Sequence, residues 1–222
     1  MTRSDLVAWV RTRLDEIAAP VQTPSVNDST IERELDAAYL RMVRDLRPPL
    51  VYFFAENLDN AFVGWTASNA QYKAVPVPHL VVPLPSAVVR FLRGKLNTWN
   101  RYVDVAESPI SNTYKALANP FATATEDSPA IAVVPHSGGL AVEMYPANAS
   151  DTVEELLIVR SRAAETTPDA FADLLVWYAV AQVAAVMRQG DIAQYARQQA
   201  LEWQLNARFG VRQELMAQPE ER

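Results

Sequence analysis

The sequence predicts an α+β protein: a helical body built from its N-terminal and C-terminal segments, with a small antiparallel β region inserted between them. Apolar residues recur at helical spacing near both ends, as in Leu6, Val10 and Leu14 and again in Phe171, Leu174, Leu175 and Tyr178. In the middle this period is lost, and prolines and β-branched residues crowd together. Half of the 222 residues are hydrophobic, which is ample for a packed core without disulfide or metal staples. On this reading 1–50 hold the N-terminal helices, 51–165 the β-rich insertion, 166–210 the C-terminal helices and 211–222 a tail.

The first helix is expected over 4–19, with Ser4 as N-cap, Leu6, Val10, Leu14 and Ile17 on one face, and Pro20 as its stop. The second starts at a capping box, Ser29-Thr30-Ile31-Glu32, and carries the stripe Ile31, Leu35, Ala38, Tyr39, Met42, Leu46 up to Pro48-Pro49. Tyr52-Phe53-Phe54 is either a core strand or an exposed aromatic anchor. VPVPHLVVPLP can be only short or edge strand, because proline cannot donate to a ladder. Residues 91–98 and 101–105 suggest two strands about a tight turn. AIAVVP and LAVEMY flank His136-Ser137-Gly138-Gly139 and predict a hairpin. In it Leu140, Val142 and Met144 face one way and Glu143 the other, with VEELLIVR as a third strand of the same sheet. Thr167 and Pro168 then suit the start of a helix that is apolar nearly all round from Leu174 to Met187. Gly190 is its expected end, and Gly210 the stop of a last helix over 191–209. That last helix has two apolar faces. Ile192, Tyr195, Ala196 and Trp203 form one; Leu201, Leu205 and Phe209 form a second, which packs within the chain or against a neighbouring subunit.

Composition narrows the function. Cysteine is absent, which excludes disulfides, thiolate metal sites and a cysteine nucleophile. The N-terminus does not read as a signal peptide, since Asp5, Asp15 and Glu16 interrupt it, and none is expected. The run 174–187 is too short to span a bilayer and reads as a buried helix, so no membrane partner is expected. The formal charge is −6 and the isoelectric point about 5.0, the wrong sign for a protein that grips DNA with its whole surface. The local cations Arg90, Arg93, Lys95 and Arg101, with Trp99 nearby, are the best place for contact with DNA or an acidic partner.

Catalytic patterns are missing. The two histidines, His79 and His136, have no partner at ligand spacing, and a surface or turn role is expected for both. There is no phosphate-binding glycine loop and no nucleophile elbow. Glu154-Glu155 and Glu220-Glu221 are adjacent pairs and read as solvated charge. No cofactor and no metal are expected, and the chain reads as a soluble structural protein rather than an enzyme.

Two stretches carry a resemblance. Val81-Val82-Pro83-Leu84-Pro85-Ser86 with Val89-Arg90-Phe91-Leu92-Arg93, and FADLLVWYAV followed by Gly190-Asp191 to Leu201, resemble the head–tail connector (adaptor or ring) proteins of tailed bacteriophages. The similarity is closest to the ring proteins of crAss-like phages. It covers most of the chain at the level of element order, although the region 52–71 matches nothing in the family pattern. The resemblance implies a virion neck protein, assembled in the host cytoplasm. It implies identical subunits in a closed, usually dodecameric ring, with the portal protein on one side and another ring or tail protein on the other. Double-stranded DNA would pass through without specific binding, eased by an acidic lumen. It also implies a C-terminal arm to the portal, with Val211, Leu215 and Met216 as apolar contacts and Arg212 and Glu214 setting register. The alternative is a non-catalytic accessory binding module, chaperone-like or inhibitor-like, acting as a small oligomer. A third possibility is an enzyme whose Tyr, Arg and carboxylate site no motif reveals.

Overall fold

The computed structural model describes residues 1–18, 26–58, 64–65, 78–117, 124–136, 139–148 and 150–217; for 18, 64–65 and 208–217 it describes the backbone alone. In chain order the elements are α1 (Arg3–Ala18), α2 (Asp28–Asp45), a 3-10 turn (Leu50–Phe54), β1 (Ala55–Asn57), β2 (Gly64–Trp65), β3 (Leu80–Pro83), β4 (Val88–Leu96), β5 (Ala106–Glu107), α3 (Asn112–Ala116), β6 (Ala130–His136), β7 (Gly139–Tyr145), β8 (Val153–Arg160), α4 (Ala172–Val186) and α5 (Gly190–Ala217). Two compact units result, one of Met1–Phe53 with Ser161–Arg222 and one of Phe54–Arg160. The α+β class, with terminal helices flanking the strands, is as the sequence predicts.

In the helical unit α4 is the hub, touched by α1, α2 and α5. Its core-facing residues from Leu174 through Ala181 are all buried, as its all-round apolar composition requires. The segment Asp169–Val186 is long and apolar enough to cross a membrane by length and composition, a longer run than the sequence reading allowed; here its burial among helices uses that composition. The α2 stripe from Ile31 to Leu46 is fully buried.

Five helix ends differ from expectation. Thr2, not Ser4, caps α1: its hydroxyl accepts from the Asp5 N–H, and the Asp5 carboxylate accepts from the Thr2 N–H at 2.9 Å. Asn27, not Ser29, caps α2, its side chain accepting from the Ser29 N–H. At the end of α4 the left-handed residue is Arg188, φ 60°, rather than Gly190, which begins α5. The Gln189 N–H reaches the Ala184 carbonyl at 2.8 Å and the Arg188 N–H the Ala185 carbonyl at 3.1 Å, the two bonds of a Schellman ending. Likewise Thr167 and Pro168 precede a 3-10 turn, Asp169–Phe171, that leads into α4.

Gly210 does not stop α5, which continues to Ala217. An internal helical glycine costs only about 1 kcal/mol, and the Arg, Gln, Glu, Leu, Met and Ala around it are good helix formers. The helix boundary of the expected tail is therefore corrected; residues 218–222 lie outside the described residues.

The β unit holds two sheets, ordered β1-β8-β4 and β2-β3-β7-β6-β5. The hairpin is present, with His136 opposite Gly139. The expected third strand is not part of it. VEELLIVR forms β8 and pairs with β1 and β4 in the other sheet. Residues 101–105 do not form the second strand of a hairpin; Val103 makes a single bridge to Gly94. The two-residue β5 runs parallel to β6, an exception to the antiparallel rule of the rest.

Strand alternation sorts the β unit into two cores. Leu80, Val82, Ile131, Val142 and Met144 of one sheet cluster with Leu96, Leu156 and Ile158 of the other. The opposite face of the larger sheet gives Val81, Ala132, Val134, Ala141 and Tyr145, which cluster with Tyr114 and Leu117. Gly94 sits where a side chain would not fit: a Cβ there would lie 2.6 Å from Ile131 Cδ1 and 3.3 Å from Leu156 Cδ1.

Candidate interaction surfaces

The side chains proposed for an interface fall into three sets. Phe209, Val211, Arg212, Glu214, Leu215 and Met216 have side chains outside the described residues. Tyr52, Phe53 and Phe54 lie in a 3-10 turn rather than a strand, with Tyr52 half-buried, Phe54 buried and Phe53 55% exposed. Phe53 starts an aromatic chain within the helical unit, 5.4 Å from Phe171, itself 5.5 Å from Trp203 of α5. Leu201 and Leu205, the third set, are 46% and 44% exposed.

The two faces of α5 sort differently from the sequence expectation. Its buried stripe is Ala193, Ala196, Ala200 and Gln204. Small residues let α5 lie close on α4, and larger side chains are displaced to the flanks. Tyr195 is exposed and meets Trp177 edge-on, with ring centroids 6.2 Å apart, and the Arg13 guanidinium lies over the Trp177 ring at 5.1 Å. This flank borders an open groove of about 630 Å³ lined by Arg13, Ile17, Trp177, Ile192 and Tyr195.

The other flank borders a groove of about 360 Å³ between α2, α4 and α5. Arg41, Arg47 and Arg197 line it, with Asp45, Tyr178 and Gln204, over a floor of Ala181 and Ala200. Gln204 donates to the Tyr178 hydroxyl at 3.1 Å, and that hydroxyl donates to Asp45 at 3.3 Å. Burial, and then the neighbouring Asp45 carboxylate, pushes the Tyr178 hydroxyl up to about 12, so it stays a donor at neutral pH. Arg41 stands 3.8 Å from Asp45. Among the described residues neither Arg47 nor Arg197 has a carboxylate within ion-pair reach. The groove was not legible in sequence, because its arginines come from two segments some 150 positions apart, Arg47 and Arg197.

The basic patch of the β unit is brought together only in part. Arg93 and Lys95 converge on the Tyr102 ring, 4.6 and 5.3 Å from its centroid. Arg93 makes a two-pronged ion pair with Glu155, and Lys95 meets Glu154 at 2.8 Å. These carboxylates, expected to be free in solvent, thus compensate the two cations. Arg90 is half-buried, and Arg101 is exposed in a separate groove of about 310 Å³ with Val105 and Glu107. Trp99 is buried, its indole N–H donating to the Pro146 carbonyl at 2.8 Å, so it is not a stacking platform.

One polar centre was missed. Glu143 points away from Val142 and Met144, as alternation requires, but that face is covered and Glu143 is only 2% exposed. The Tyr114 hydroxyl donates to its carboxylate at 2.7 Å, and the Tyr145 hydroxyl donates to the same oxygen. Burial first, and then this bond to Glu143, raises the Tyr145 hydroxyl well above the ordinary tyrosine range. His79, expected at the surface, is fully buried and stacks on Tyr145 with centroids 5.0 Å apart. His136 is exposed at the hairpin end. A glutamate inside the apolar strand LAVEMY was the available signal. None of the described grooves is lined by Glu143, so the cluster acts as an internal tie.

No family model matches the chain, and no curated protein matches it.

Proposed function

We propose that the chain is a non-enzymatic structural protein of a tailed-phage virion, forming a closed ring that joins the portal to the tail around the DNA channel. The observation that carries this reading is the outward stripe of α5, where Leu201 and Leu205 stay nearly half exposed on a helix already anchored by its alanine face. A contiguous exposed apolar patch marks a surface that meets another protein. Rings form where head-to-tail contacts between identical subunits close on themselves. The acid–base balance supports passage of DNA without capture: the net charge is −6, and the carboxylates of Glu154 and Glu155 compensate Lys95 and Arg93.

Electron cryo-microscopy of particles containing the chain, with sedimentation of the purified protein alongside, tests the reading. A ring at the neck is expected, burying upwards of ~2,000 Å² per obligate contact. The pair Leu201→Asp and Leu205→Asp should remove the chain from the neck while leaving the helical content intact. A chain that is absent from the neck and sediments as a monomer would refute the ring and favour the accessory module.

A further inference from the structure

The geometry points to the groove between α2, α4 and α5 as the docking site for a segment of a different protein that presents carboxylates beside apolar side chains. Three guanidinium groups line it against a single carboxylate, in a chain whose overall balance is acidic. Asp45 is held by Tyr178 and lies closest to Arg41, so Arg47 and Arg197 are left to answer an incoming anion. Guanidinium forks match carboxylates in two-pronged geometry, which gives direction as well as attraction. The hydrogen-bond chain from Gln204 through Tyr178 to Asp45 fixes the groove wall before anything binds.

The form of the surface distinguishes a peptide from a compact anion. Arg197, Leu201, Gln204 and Leu205 fall at i, i+4, i+7 and i+8 and share one face of α5. The cationic groove therefore continues into the exposed Leu201 and Leu205. A small anion would use the arginines and leave the leucines wet. An extended segment places carboxylates at Arg47 and Arg197 and lays its apolar side chains over the two leucines. This assignment deepens the adaptor reading by giving the chemistry of one unlike partner.

A random-peptide display selection against the immobilised full chain tests it, with counter-selection on the variant carrying Arg47→Glu and Arg197→Glu. Enriched peptides should combine Asp or Glu with Leu, Ile, Phe or Met. A synthetic copy of the best one should bind the wild-type chain at least about tenfold more tightly than the reversed variant, as loss of a charge-complementary contact requires. Arg47→Gln with Arg197→Gln, which adds no repulsion, should weaken binding in the same direction, and so should Leu201→Ser. No enrichment, enrichment of neutral or basic peptides, or acidic peptides indifferent to the reversal would overturn the site. Displacement of the peptide by inorganic phosphate or citrate with no effect of Leu201→Ser would assign the groove to a small anion and overturn it as well. Sedimentation of the reversed variant separates this inference from the ring. If self-association is unchanged while peptide binding is lost, the docking site stands; if self-association is lost, the occupant is a second copy of the chain and the inference fails while the ring reading survives.

Discussion

Replacing Tyr114 by phenylalanine should loosen the β unit out of proportion to the single oxygen removed. Glu143 is 2% exposed, and both tyrosine hydroxyls converge on one of its carboxylate oxygens. A hydrogen bond to a charged acceptor contributes about 1.5–3 kcal/mol, because its loss leaves a buried group undersatisfied. Tyr114→Phe and Tyr145→Phe should therefore each cost about 2 kcal/mol, against a total stability on the order of 5–15 kcal/mol. The double change leaves neither donor, so its cost should exceed the sum by at least about 0.5 kcal/mol, as for coupled neighbours. Glu143→Gln keeps a carbonyl acceptor and should cost less than either tyrosine change. Native-state hydrogen exchange of the β6 and β7 amides reports on this unit without interference from the helices. A loss under about 0.5 kcal/mol for Tyr114→Phe, or strict additivity in the double variant, would refute the claim that this carboxylate is tied by the two tyrosines.

Three further outcomes follow from local geometry. Gly94→Ala should destabilise the β unit by about 1–3 kcal/mol through overpacking, and Ile131→Val, which removes the methyl 2.6 Å from the new Cβ, should relieve much of it when urea unfolding of the double variant is measured. Arg188→Gly should stabilise the helical unit by about 1 kcal/mol in thermal or urea melts, since glycine adopts φ 60° without the cost that an L side chain bears. Asp36 is held below the ordinary carboxylate range, chiefly by the two-pronged bond from Arg3. Its stabilising contribution is thus present above the unfolded value of 3.8 and lost as pH falls through the lower folded value. Asp36→Asn should flatten acid unfolding in that window while costing no more than ~1 kcal/mol at neutral pH, because the pair is solvent-screened.

What the sequence revealed, and what it hid, follows the range of the forces involved. The α2 stripe and the all-round apolar α4 were legible because burial along a helix repeats every turn, and each turn restates the pattern. The hairpin was legible because His136 and Gly139 meet across a turn that is local in the chain. Alternation gave the direction of Glu143 correctly, but whether that face is covered depends on Tyr114, 29 residues earlier. The same limit misassigned β8. Its apolar alternation fits any sheet, and β4, its partner, begins more than 60 residues upstream at Val88. Helix ends failed for a different reason. Thr2 and Ser4, or Asn27 and Ser29, are rival caps a turn or less apart, and composition does not rank them. The candidate groove was hidden most completely, since no periodicity links Arg41 and Arg47 to Arg197.

The distribution of charge among these elements carries the functional argument further than the net value does. With 26 carboxylates against 20 cations, an arginine in this chain meets an acid more readily than it avoids one. Arg3, Arg11, Arg13, Arg93 and Arg160 all follow that expectation. Arg47 and Arg197 depart from it at the same groove, beside a carboxylate already engaged by Tyr178. Both side chains are exposed, one from α5 and one from just past the end of α2, so water solvates them in the free chain. Under the docking proposal, the partner's carboxylates would take the place of that water at Arg47 and Arg197, and the exposed leucines further along α5 would supply the apolar part of the same contact.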